Sequence, residues 1–244
     1  QAQSIIMLQH KMQKKLLKNN IMILAEKLKE KKIILGSGSP RRRELLSGTD
    51  LKFEVDSDTS FIENQEEGLK PLGVPEFMAV GKSHGFHREL KENETLLTAD
   101  TIVICPKVKR DNLKIDSQIY IDYEFRESEI NSGIILGKPQ NKEEAIRMLS
   151  LLSGIIHTVA TGVCMRDNNQ EMSFTVLSHV WFKELTIEEI NYYIDNYNPY
   201  DKAGSYAVQE WIGFTGISRI DGSVYNVMGL PVQRVYQELE RFAQ

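Results

Sequence analysis

The segment that most constrains the fold is Ile33-Ile34-Leu35-Gly36-Ser37-Gly38-Ser39-Pro40-Arg41-Arg42-Arg43. Two isoleucines and a leucine in a row read as a short buried strand, and the Gly-Ser turn behind them ends it. Ser39 suits a helix N-cap, Pro40 the first helical position, and Gly48, after Leu45-Leu46-Ser47, the helix stop. Strand, small-residue turn and helix in this order point to an α/β layered fold.

The same turn could hold an anion. A helix N-terminus presents unpaired N–H groups and a partial positive charge, and small residues let a ligand approach the backbone. Arg41 and Arg42 fall in the first turn, where guanidinium forks can clamp phosphate oxygens. Neighbours on a helix diverge by about 100°, so Arg43 is expected to face outward. Two readings stay open: a phosphate cradle, and a capped helix with solvated arginines. The turn has neither the Lys of a P-loop nor the dinucleotide fingerprint.

Strand and helix signals alternate along the rest of the chain. A helix is expected from about Pro75, carrying Phe77, Met78, Lys82 and Phe86, then a buried strand over 96–104 interrupted by Asp100. Residues 106–133 form a charged insertion in which Ile119, Ile121, Tyr123 and Phe125 recur at period two, the pattern of a protruding hairpin. A helix over 141–152 opens with the capping-box spacing of Asn141 and Glu144. Strands over 157–165 and 174–182, joined by a polar turn, should pair antiparallel. Thr186 and Glu189 open a helix through Tyr192, and Pro231 opens one through Phe242.

Charge divides the chain. Residues 1–32 hold eight Lys and two Glu, +6, whereas 33–244 hold 22 basic and 32 acidic residues, −10. Residues 1–31 are expected to be a basic leader, disordered or added to the natural chain, ahead of one domain over 32–244. The acidic body argues against wrapping of a nucleic-acid polymer, which needs spread basic surface. No apolar run reaches the roughly 20 residues of a membrane-spanning helix. Two distant cysteines, Cys105 and Cys164, exclude a disulfide framework or zinc knuckle and favour a reducing, cytoplasmic setting.

Several isolated residues could carry chemistry. Asp100, inside an apolar run, is costly to bury as a carboxylate unless paired or metal-bound. It reads as a general base for water, as a magnesium ligand, or as a strand-end Asp capping the next turn. Lys82, Lys138 and Lys202 matter only if the fold gathers them, and Gln209 could read a base edge if buried. His84 and His87 have a metal-ligand spacing but no third partner nearby.

Taken in order, Ser37-Gly38-Ser39-Pro40-Arg41-Arg42, Ala99-Asp100-Thr101, Gly137-Lys138-Pro139 and Asp201-Lys202-Ala203-Gly204-Ser205-Tyr206 resemble the Maf-like nucleotide pyrophosphatases. Leu152-Ser153-Gly154 with His157, Thr161-Gly162-Val163 and Asn226-Val227-Met228-Gly229-Leu230-Pro231 fit as well, so the resemblance spans roughly 33–236 outside the insertion. It implies an elongated, two-lobed α/β fold with a central mixed sheet flanked by helices. It also implies a homodimer and hydrolysis of a nucleoside triphosphate to monophosphate and pyrophosphate with a divalent cation, Mg²⁺ or Mn²⁺. Asp100 matches the proton acceptor; Arg41, Thr101 and Gln209 match positions tied to substrate choice. Ser37, Arg42, Lys82, Lys138 and Lys202 match the lining of the phosphate cleft, and Glu63 matches an acidic position that joins Asp100 at the metal. The tail, with Gly222-Ser223, is similar to the branch acting on dTTP and UTP rather than on 7-methyl-GTP or another purine nucleotide. A non-catalytic nucleotide-binding regulator of division is the alternative from another class. Two departures stand out: the insertion, and Glu210-Trp211-Ile212-Gly213, where a nearby Trp211 could alter base preference.

Overall fold

The apolar run around Asp100 becomes the axis of the molecule. In the computed structural model, which describes residues 23–62, 68–107 and 127–243, one mixed sheet holds seven strands. They are β1 Lys32–Leu35, β2 Phe53–Val55, β3 Glu94–Cys105, β4 Ile134–Leu136, β5 Ile156–Arg166, β6 Glu171–Phe182 and β7 Ile217–Asp221. The helices are α1 Leu24–Lys27, α2 Pro40–Ser47, α3 Val74–His84, α4 Glu127–Ile130, α5 Lys142–Leu152, α6 Ile187–Tyr197, α7 Trp211–Gly216, α8 Val224–Met228 and α9 Val232–Leu239. The strand order is β2-β1-β3-β5-β6-β7, with β4 also on β3.

The register of β3 explains the cleft. β5 runs antiparallel along one edge, opposite Leu96 to Ile104. On the other edge β1 pairs in parallel with Glu94 to Leu97, and β4 pairs antiparallel with Val103 to Cys105. Among the described residues no strand therefore covers Thr98 to Ile102 on that edge. The sheet forks there, and Asp100 lies at the middle of the gap.

Side chains alternate across the pleat. Leu97 and Ala99 enter one core with Ile33, Leu35, Leu46 and Leu239, while Val103 and Cys105, on the same face, enter a second with Leu149, Phe182 and Tyr193. Thr101 lies between the two cores and shares a 3.0 Å hydrogen bond with the hydroxyl of its cross-strand partner Thr161. A polar seam thus separates two apolar lobes. On the opposite face Ile102, Ile104 and Ala160 pack with Val74 and Met78 of α3. That helix rests directly on the sheet because residue 162 is Gly; a Cβ there would come within 2.1 Å of the Pro75 backbone.

Local signals held where they were complete. The Ser39 hydroxyl accepts from the Arg42 N–H with Pro40 at N1, and Thr186 and Glu189 form a reciprocal capping box. Asn141 caps α5, but Glu144 accepts from the Gln140 N–H instead of closing the box. α3 ends at His84, leaving Phe86 outside it, because Gly85 takes the C-cap. α6 passes Tyr192 and stops only where Asn198 turns left-handed (φ 48°) before Pro199. The last helix is regular to Leu239 and tightens to a 3₁₀ turn over Glu240–Ala243. The hairpin expected around 119–125 lies outside the described residues.

The basic leader looks different at its end. Leu24 and Leu28 are buried in the first core, and the Leu24 N–H donates to the Tyr236 hydroxyl at 3.0 Å. Each buried leucine contributes about 1.5–3 kcal/mol, enough to hold a four-residue helix that would not persist alone. Packing against the first core thus reaches back at least to Leu24.

Candidate active site

The gap in β3 opens into a cavity of about 800 Å³, the size of a small-molecule site. It is lined by the Gly36-to-Arg42 turn, Lys82, residues 99–103, Lys138, the Asp201-to-Ala203 segment, Gln209 and Gly229. Ser37, Arg41, Arg42, Lys82, Asp100, Thr101, Lys138, Lys202 and Gln209 are thus brought together from six separate stretches of chain. Glu63 lies outside the described residues. Arg43 is exposed, as the helical spacing requires.

Asp100 is a mid-strand residue, which overturns the strand-end capping alternative. Its side chain faces α3, and Lys82 donates to Asp100 Oδ1 at 2.7 Å. Thr101 points the other way. Arg42 reaches it from α2, with Nη2 donating to Thr101 Oγ1 at 3.1 Å, Nη1 to Ser37 Oγ at 3.1 Å and Nε to the Gly229 carbonyl at 2.8 Å. The guanidinium fork therefore braces three walls of the cavity at once.

Across the opening Arg41 donates to Asp201 Oδ2 at 2.7 Å and to its carbonyl at 3.3 Å. Lys202, only 7% exposed, donates to Asp201 Oδ1 at 2.8 Å and pairs with Glu210 at 3.3 Å. Burial opposes the charge on Asp201, but the hydrogen bonds from Lys202 and Arg41 outweigh it and hold the carboxyl down at about 2. The carboxyl is ionised across the working pH range. Lys138 is exposed at the rim beside Gly137, whose carbonyl accepts from Gly204 at 2.9 Å.

Behind the cavity His157 meets the Tyr206 hydroxyl at 2.7 Å. Complete burial, with a further push from His179, lowers the imidazole to about 3, so it is neutral at pH 7. His84 and His87 do not meet at one point: they pair separately with Glu171 and Asp56. Among the described residues no group of three or more His, Cys, Asp or Glu could hold a metal. Trp211 does not line the cavity; it packs beside the second core with its ring 4.9 Å from Tyr192.

Sequence reasoning missed Ser57, Thr59 and Gly229 as lining residues, and Asp201 and Glu210 as the anions that hold Lys202. Asp201 stood in a quoted motif, and Glu210 is a lone charge between Gln209 and an apolar stretch. Ser57 and Thr59 carry no local signal.

The fold and site define a class: an α/β protein whose sheet forks around a small-molecule cleft built from a Gly-Ser helix turn, several cations and one mid-strand carboxylate. The chain belongs to the Maf-like protein family, whose match spans residues 32–242. It is 43% identical over 223 residues to the dTTP/UTP pyrophosphatase of Porphyromonas gingivalis, covering 91% of this chain and 99% of that one. Identity is also 43% over 219 residues to the dTTP/UTP pyrophosphatase of Parabacteroides distasonis, with 90% and 100% covered. It is 42% over 221 residues to that of Flavobacterium johnsoniae, with 89% and 98% covered.

Proposed function

We propose that this protein is a nucleotide pyrophosphatase that hydrolyses dTTP and UTP to the monophosphate and pyrophosphate. The observation that carries the reading is the cavity at the fork of β3, where Asp100 meets Lys82 and where Arg41, Arg42, Lys138 and Lys202 line the same space. The name borne by its relatives supports the choice of substrate. A polyanionic triphosphate requires local positive charge, and these residues concentrate it within an acidic body.

In this mechanism Lys82 orients Asp100 through Oδ1, and Oδ2 takes the proton of a water that attacks the α-phosphorus. The α–β anhydride bond breaks and pyrophosphate leaves, with Arg41, Lys138 and Lys202 holding its phosphates equally before and during the step. Arg42 and Ser37 shape the cradle, while Thr101 and Gln209 contribute to substrate choice. Positioning and electrostatics supply most of the rate.

We assign Asp100, with Glu63, to a divalent cation, Mg²⁺ or Mn²⁺. Two carboxylates line the described cavity, and Asp201 is taken up by Arg41 and Lys202, so Asp100 is the one that fits an ion that would arrive on its triphosphate, since Mg²⁺ is bound by one or two carboxylates plus substrate phosphates. When bound, it neutralises phosphate charge. A chain with only two cysteines, Cys105 and Cys164, favours action in the cytoplasm, and no described helix is long and apolar enough to cross a membrane. A homodimer, which the family resemblance implies, is checked by sedimentation.

The test is pyrophosphate release from a panel of canonical and modified triphosphates with Mg²⁺ or Mn²⁺. We expect dTTP and UTP to turn over fastest. Fastest turnover of 7-methyl-GTP or another purine nucleotide would move the chain to the other branch, tight binding without product would make it a regulator, and inertness to the whole panel would end the reading.

A further inference from the structure

We infer that Glu210 is a positioning residue that ties the cleft wall at Lys202 and Gln209 to the buried Tyr193; this rests on the pyrophosphatase reading above. Glu210 occupies the N-cap of α7, a place that favours Ser, Thr, Asp or Asn, yet its side chain does not cap the helix. Its two oxygens go elsewhere. Oε2 accepts from the Tyr193 hydroxyl at 2.5 Å, and Oε1 pairs with Lys202 Nζ at 3.3 Å.

Tyr193 is fully buried on α6 and stacks on Tyr197. Its hydroxyl also accepts from the Ala207 N–H at 3.2 Å. One phenol therefore pins both ends of the 207–210 segment, and Gln209 sits between the pins. The first turn of α7 closes on the same segment, since a Cβ at Gly213 would lie 1.9 Å from the Val208 carbonyl oxygen. Gln209 lines the cavity with a buried Oε1 that has no hydrogen-bond partner. An acceptor that has no protein partner selects a ligand donor only if its backbone is held still, and Glu210 with Tyr193 does the holding. On the other side the Glu210 carboxylate faces Lys202 opposite Asp201, so that the ammonium is fixed from two directions.

Glu210→Gln tests this because an amide places an oxygen at only one of the two carboxylate positions and an NH₂ at the other, so Tyr193 or Lys202 loses its acceptor. Removing a negative charge beside a triphosphate would by itself favour binding. The two effects have opposite signs. If Glu210 positions Lys202 and Gln209, KM for UTP and dTTP rises about tenfold with kcat within about twofold, the scale of one hydrogen bond to a charged group. A KM that falls or stays unchanged in the folded variant overturns the inference.

Tyr193→Phe keeps the ring and removes only the hydroxyl. It should raise KM in the same direction, and the double variant should be no worse than the worse single one. Additive losses would overturn the shared role, as would a KM unmoved in Tyr193→Phe. Wild-type protein inert to every triphosphate removes the underlying reading; active wild type with unmoved KM in both variants removes only the role of Glu210.

Discussion

The two faces of β3 at its gap carry similar side chains in opposite arrangements. On the α3 face Lys82 meets Asp100, with side chains 15% and 20% exposed. On the other face Arg41, Asp201, Lys202 and Glu210 alternate in sign along a line that ends on Tyr193. Lys82 takes Oδ1 and leaves Asp100 Oδ2, which accepts from no described residue, available for a proton. An alternating line holds a shape, because every charge already has neighbours and a buried ammonium without them would be expensive. Chemistry is expected on the first face and recognition on the second.

The largest expected effect separates these roles. Asp100→Asn should lower kcat by about 10²–10⁴ with the fold retained, the usual loss for a general base. Steady-state pyrophosphate release checks it, and an unchanged kcat would erase the contrast between the faces. Next comes Gly162→Ala. Its methyl would push α3 off the sheet and Lys82 with it, so denaturant titration should show a loss of about 1–3 kcal/mol together with a lower kcat.

Arg42→Lys should act on recognition instead. A point charge cannot brace Ser37, Thr101 and Gly229 together, so KM for triphosphate should rise about tenfold with a smaller change in kcat. An equal loss in both constants would place Arg42 in the chemical step. The smallest effect concerns His157, behind the second face. Its folded value near 3 lies below the unfolded 6.5, so the unfolded chain binds the proton first as pH falls. The His157 contribution to stability should therefore be lost along a slope between pH 6.5 and 3 that levels off below. In His157→Phe that slope should flatten, by about 1 kcal/mol between pH 6.5 and 5.5, and an unchanged slope would show that another group sets it.

How much of this could be read from the chain depends on the range of the forces involved. Ser39 with Pro40, Thr186 with Glu189, and the β5–β6 pair joined by a polar turn are settled within a few residues, so they were legible. The end of α6 was not. Tyr193 and Ile194 stay helical because they are buried against the second core, and the stop depends on a left-handed Asn198. The partners of His84 and His87 were not legible for a similar reason: helical periodicity ends at Gly85, and the two imidazoles part toward different carboxylates. Leu24 and Leu28 have the spacing of a helix face, but only the presence of Tyr236 and the first core shows that they pack.

Taken alone, the sequence determined that a strand runs through a Gly-Ser turn into an arginine-bearing helix, and that a carboxylate interrupts a buried strand. Those are properties of neighbouring residues, set by capping, turn chemistry and apolar runs. The tertiary structure decided what they meet. Whether Asp100 faces Lys82 while Thr101 faces Arg42 depends on the pleat of β3, on Gly162 admitting α3, and on β1 and β4 sharing one edge without covering its middle. Such contacts join residues tens of positions apart, and their geometry follows from packing and register, which no local pattern contains.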